Sequence, residues 1–233
     1  MVAFYDVNPN KIYLMGYSAG GDGVYQLAPR MADRFAAAAM MAGHPNEASP
    51  LGLRNIGFTI HMGEKDSLYN RNKVAIEWGN KLKKLNENDE DGYINLVKIH
   101  QGKGHWMESL DTTAISWASN FIRNPFPKKV VWMQDDVVHN RFYWLKVDKP
   151  QINSLIIASI NKQTVTIEKA TVPDFTIRLN DEMLDMDKQV IVMYLGTEIF
   201  NGIVKRTRET LLKSIEEYGD PKSIYFGEIS ISL

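Results

Sequence analysis

Residues 9–24 read Pro9-Asn10-Lys11-Ile12-Tyr13-Leu14-Met15-Gly16-Tyr17-Ser18-Ala19-Gly20-Gly21-Asp22-Gly23-Val24, and this stretch decides the fold. Residues 11–15 are largely apolar and predict a short strand, and residues 24–31, with Pro29 near their end, predict a helix. Between them lies Gly16-Tyr17-Ser18-Ala19-Gly20, a G-x-S-x-G at a strand-to-helix turn. With Gly and Ser each near 7%, chance supplies roughly 0.08 such matches in a chain this long. A serine here sits on a sharp, strained turn, so its Oγ projects above the sheet. Small flanking residues let the helix pass close to the strand. The helix N-terminus adds a positive dipole, and the Ala19 N–H is placed to donate to an oxyanion. A dinucleotide site fits less well, because no G-x-G-x-x-G is present.

Working outward, residues 35–42 (FAAAAMMA) form an unbroken apolar run stopped by Gly43-His44-Pro45. That length favours a strand covered on both faces. Residues 57–62 and 94–99 predict further strands. Residues 71–85 predict a helix, with Val74, Trp78, Leu82 and Leu85 recurring on one face, and residues 111–122 predict another. Strand and helix in alternation imply a parallel sheet with helices on both sides.

A nucleophilic serine needs a base, and the base needs an orienting acid. In a parallel sheet both are expected in loops at the C-terminal ends of later strands. The strand at 57–62 runs into Gly63-Glu64-Lys65-Asp66, which makes Asp66 the candidate acid and Glu64 the alternative. The strand at 94–99 runs into Gln101-Gly102-Lys103-Gly104-His105-Trp106, where the glycines let His105 swing back over the sheet edge. His44 precedes Asp66 in the chain and is expected at most to line the pocket. His61 and His100 read as structural, and His139 as a surface or interdomain residue.

After Asn124-Pro125-Phe126-Pro127 the pattern changes. Strand-like segments rich in Val, Ile, Thr, Tyr and Phe are expected at 129–133, 141–147, 154–160, 164–169, 175–179, 189–194, 198–204 and 223–232, with hairpin turns at Asn161-Lys162 and Gly196-Thr197. One amphipathic helix is expected over 207–218. The chain therefore reads as an α/β domain over 1–124 and a small antiparallel, sandwich-like β domain over 125–233. Trp132, Phe142, Tyr143 and Trp144 read as β-core or domain-interface residues, with an exposed docking platform as the alternative.

Composition limits the function classes. The 233 residues carry 27 basic and 28 acidic side chains, a net charge of -1, so no basic excess points to nucleic acid. No apolar run reaches the ~18 residues of a membrane helix. With Cys 0, disulfides, thiolate zinc sites and a cysteine nucleophile are excluded. Residues 1–7 lack the features of a signal peptide and read as the end of a helix. The default expectation is a cytoplasmic protein, unless an export signal lies upstream.

Residues 9–46, with HMGEKD and GKGHWM, resemble the serine esterases of the α/β-hydrolase superfamily. They are most similar to its polyhydroxybutyrate-depolymerase-like and dienelactone-hydrolase-like members. The resemblance spans about residues 8–124. It implies a carboxylic-ester hydrolase with Ser18 as nucleophile, Asp66 as acid, His105 as base and the Ala19 N–H as oxyanion donor, working through an acyl-enzyme without cofactor or metal. Its substrate would be a small-molecule or polymeric ester. The strands would be the family's fifth to eighth, so the chain reads as the C-terminal half of such a domain, with the loop carrying the second oxyanion donor missing. Losing one donor costs about 10²–10³ in turnover, so a weak or inactive chain is one expectation. A bare sheet edge predicts a homo-oligomer. A non-catalytic polymer- or carbohydrate-binding module and a peptidase of the same superfamily are the alternatives.

Overall fold

Short β-prone runs separated by amphipathic ones fold as a parallel sheet with helices packed on it. In the computed structural model, which describes residues 5–233, β1 (Tyr13–Tyr17), β2 (Ala37–Met41), β3 (Gly57–Gly63) and β4 (Asn95–His100) form a 4-stranded parallel sheet in that order. Tyr13 lies opposite Ala37, Ala37 opposite Gly57, and Phe58 opposite Asn95. The alanine-rich run is a strand because its small side chains are sealed on both faces. Ala37, Ala38, Ala39 and Met40 are all fully buried.

Three helices cover the sheet: α1 (Ala19–Arg30), α2 (Arg71–Asn88) and α3 (Thr113–Ala118). Consecutive strand residues point to opposite faces, which assigns the helices to sides. Phe58 meets Tyr25 of α1 and Trp78 of α2, whose own rings are 4.6 Å apart. The neighbouring Gly57 backs onto Phe121, just beyond α3. A Cβ there would come within 2.7 Å of the Phe121 ring, so the glycine is a packing requirement.

Several expectations need correction. β1 begins two positions later than the expected 11–15 and runs into the motif itself. The first helix starts at Ala19, not at position 24, although Gly20, Gly21 and Gly23 disfavour helix. Tertiary packing of Gly21 overrides that propensity. The helix expected over 111–122 is shorter, because a 3-10 turn (Leu110–Thr112) precedes it and the chain leaves the helix after Ala118. Of the helix end expected over 1–7, residues 1–4 lie outside the described residues, and residues 5–7 are not helical.

Asn10–Asn124 form one compact unit, and Pro125–Leu233 belong to a second. The second contains β5 (Lys129–Gln134), β6 (Arg141–Phe142), β7 (Leu145–Lys146), β8 (Ser154–Asn161), β9 (Thr164–Ala170), β10 (Asp174–Leu179), β11 (Val190–Tyr194), β12 (Thr197–Gly202), α4 (Arg208–Tyr218) and β13 (Gly227–Ser232). They build a 4-stranded sheet, β13-β10-β7-β6, and a 5-stranded sheet, β12-β11-β9-β8-β5. The pairing is not wholly antiparallel as expected: β9 and β11 run parallel, with Thr164 opposite Ile191. The intervening β10 crosses to the other sheet, so the chain re-enters beside β9 in the same direction.

The single strand expected over 141–147 is instead a tight hairpin of β6 and β7, turned by Tyr143 at φ 50. A straight strand would send Phe142, Tyr143, Trp144 and Leu145 alternately outward. The hairpin buries all four, and Trp144 Nε1 donates to the Pro127 carbonyl at 2.8 Å. Trp132 is buried as well, so these aromatics are core and not an exposed docking platform. Among the described residues, no helix is long and apolar enough to cross a membrane.

Candidate active site

The motif folds as a strained turn between β1 and α1. Ser18 sits at φ 57 and ψ -121, a conformation that costs of order 1–3 kcal/mol for a non-glycine residue. The turn is held open by its own bonds. The Ser18 N–H donates to the Met41 carbonyl at 2.9 Å, and the Ser18 carbonyl accepts from the Asp22 N–H at 3.0 Å. Ala19 is the first residue of α1, so its N–H has no partner within the helix and points out of the helix end.

The glycines divide by what surrounds them. A Cβ on Gly16 would lie 2.1 Å from the Gly20 carbonyl oxygen, so strand and helix can approach only with glycine there. A Cβ on Gly20 meets nothing within 4 Å. The close approach expected of Gly20 belongs instead to Gly21 and Gly43, which interlock. A Cβ on Gly21 would meet the Met41 carbonyl oxygen at 2.5 Å, and one on Gly43 would meet Gly21 at 2.3 Å.

The ends of β3 and β4 bring two loops against this turn. Asp66 follows β3 and His105 follows β4. His105 Nδ1 lies 2.6 Å from Asp66 Oδ2, and His105 Nε2 lies 3.0 Å from Ser18 Oγ. An ionised carboxylate only accepts, so Nδ1 carries the proton and Nε2 is left to accept from the serine hydroxyl. The Asp66 side chain is 2% exposed, against 40% for His105. The buried carboxylate also has the Arg71 guanidinium 3.8 Å from Oδ1. Beside this cluster the surface is open and aromatic: Trp106 is 64% exposed, and Tyr69, at 68%, stacks under Arg71 at 4.9 Å.

The two loops are zipped together. The Lys65 N–H donates to the Lys103 carbonyl at 2.8 Å, and the Glu64 N–H to the His100 carbonyl at 3.0 Å. Glu64, the alternative acid, does not touch His105; its Oε2 accepts from the Gly102 N–H at 2.7 Å and so ties down the base loop. Gly63 lies so close to Gly104 that no side chain fits between them. Nothing local in sequence signals this contact, since it joins two strand ends 41 positions apart.

The remaining histidines lie apart from the triad-like cluster. The His44 N–H donates to Asp22 Oδ1 at 2.6 Å, and its ring Nδ1 accepts from the Asn46 N–H at 3.0 Å. His139 lies in the second unit, with its N–H on Gln134 Oε1. His61 is fully buried in β3 and meets His100 ring to ring, with Nδ1 and Nε2 3.1 Å apart. Burial, then His100 and Lys98, push the His61 imidazole down to about 4. The unfolded chain therefore takes up this proton first as the pH falls. The stability that neutral His61 contributes is full above about pH 6.5 and drains away toward pH 4. The thermal midpoint is expected to fall across that window, and to fall less steeply in a His61→Leu variant. Parallel slopes would show that His61 does not carry the effect.

Comparison with known proteins yields structural likeness only. No family model matches the chain, and no curated protein does. The chain is similar to a solved thermostable esterase, with 22% identity and a TM-score of 0.41 over 52% of this chain and 34% of that one. It is similar to S-formylglutathione hydrolase FrmB of Staphylococcus aureus, with 16% identity and a TM-score of 0.38 over 50% of this chain and 55% of that one. It is also similar to SOBER1 of Arabidopsis thaliana, with 20% identity and a TM-score of 0.35 over 49% of this chain and 55% of that one. The chain thus spans between a third and just over half of the length of the structures it matches.

Proposed function

We propose that the chain carries the site of a serine hydrolase of the α/β-hydrolase type, acting on carboxylic esters. The observation that carries this reading is the continuous relay from Asp66 Oδ2 through the His105 ring to Ser18 Oγ, at 2.6 and 3.0 Å. His105 takes the proton of Ser18 Oγ as that oxygen attacks the ester carbonyl. Asp66 holds the tautomer and stabilises the imidazolium that forms. The Ala19 N–H donates to the oxyanion, and the alcohol leaves with the proton from His105. Water then cleaves the acyl-enzyme, with His105 again as base. Hydrolysis of a small ester is the expected activity. The test is covalent labelling of Ser18 by a fluorophosphonate together with turnover of p-nitrophenyl acetate, compared with Ser18→Ala.

The edge of β1 supports a second part of this reading. Among the described residues β1 pairs with β2 alone, which leaves alternate backbone groups along its other side without a ladder partner there. We propose that a second copy of the chain covers this edge. Light scattering at micromolar concentration is expected to report a dimer or larger species, and a stable monomer would refute the proposal.

A further inference from the structure

Tyr17 is the last residue of β1 and stands directly before Ser18. Its ring centroid is 5.4 Å from that of His105, and the Trp106 ring meets it edge-on at 6.1 Å. Its hydroxyl donates to the backbone carbonyl of His105 at 2.6 Å. Burial, then the Asp111 and Asp66 carboxylates, push the phenol up, so it keeps its proton and remains a donor.

The bonds around the base loop divide by what they hold. Gly102 to Glu64 and Lys65 to Lys103 fix His105 relative to Asp66. Among the described residues, two hydrogen bonds join the same loop to the elbow: Tyr17 to the His105 carbonyl, and Ser18 Oγ to His105 Nε2. The second is consumed whenever the serine is acylated. Only the first is indifferent to the state of the serine. We infer that Tyr17 is a positioning residue, which holds the His105 ring within reach of Ser18 by anchoring its carbonyl and bracing its edge. The inference rests on the reading of Ser18 and His105 as nucleophile and base.

The test uses the full chain as wild type, Tyr17→Phe and Tyr17→Leu. Loss of one neutral hydrogen bond corresponds to about a tenfold loss of rate. In Tyr17→Phe, fluorophosphonate labelling and kcat for p-nitrophenyl acetate are expected to fall by about that factor, with KM unchanged. The low-field proton resonance of the Asp66–His105 bond is expected to shift or broaden, while the thermal midpoint holds. Tyr17→Leu, which also removes the brace, is expected to lose more. Wild-type labelling by Tyr17→Phe would overturn the inference. So would a rate loss matched by a lower thermal midpoint with the proton resonance unmoved. If the wild type itself takes no label, the inference falls together with the reading it rests on, and that result is distinct from equal labelling of both proteins.

Discussion

Substitution of Ser18 by alanine is expected to abolish fluorophosphonate labelling and to lower ester turnover by about 10⁴–10⁶, with little change in thermal midpoint. The size follows from the geometry. Among the described residues Ser18 Oγ is the one nucleophilic atom in contact with His105 Nε2, and without it the proposed relay from Asp66 ends on an imidazole with nothing to activate. What survives in the proposed site is electrostatic: the Ala19 N–H at the helix end. The fold should not notice the change. The Ser18 backbone bonds to Met41 and Asp22 use its N–H and carbonyl, which alanine retains. A second substitution sharpens the result. In the proposed mechanism the three residues act as a unit, so Ser18→Ala/His105→Ala is expected to lose little beyond Ser18→Ala alone. Additive losses would mean that His105 has a role independent of the serine. Turnover undiminished in Ser18→Ala would remove the proposed function altogether.

How much of this was legible in the sequence depends on the range of the contacts involved. The parallel sheet and the strand-end positions of Ser18, Asp66 and His105 follow from local pattern. A strand-helix alternation carries the C-terminal ends of its strands to one edge without any knowledge of side-chain packing. The interlocked pair Gly21 and Gly43 is not local, and neither is the His61–His100 contact. Each joins residues whose neighbourhood in the chain says nothing about the partner. The second unit was harder for a related reason. Period-two alternation marks strands but not their partners, so the parallel β9–β11 pair and the β6–β7 hairpin both escaped it. In the hairpin, four consecutive large apolar residues satisfy no strand period. The turn at Tyr143 is what resolves that conflict.

Gly63→Ala is expected to cost about 10² in labelling rate and turnover, whereas Gly104→Ala costs almost nothing. Both glycines flank the proposed acid and base, and from sequence alone they are interchangeable loop glycines. Their surroundings differ. A Cβ on Gly63 would sit 2.0 Å from the Gly104 carbonyl oxygen and 2.8 Å from that of Lys103, all of it backbone. Relief requires the base loop to withdraw by roughly 1 Å or more. That movement pulls on the Lys65–Lys103 bond and draws His105 away from Asp66, and a misplacement of this size at a reacting centre costs about 10² in rate. A Cβ on Gly104 meets nothing within 4 Å. The pair therefore separates loop spacing from loop flexibility. If flexibility matters, stiffening Gly104 should hurt as much as crowding Gly63. If spacing matters, only Gly63→Ala loses activity. Labelling rates of the two variants, measured beside their thermal midpoints, decide between them. Wild-type labelling in Gly63→Ala would show that the acid and base loops can separate without harm, and that the zipped contact is no part of the working site.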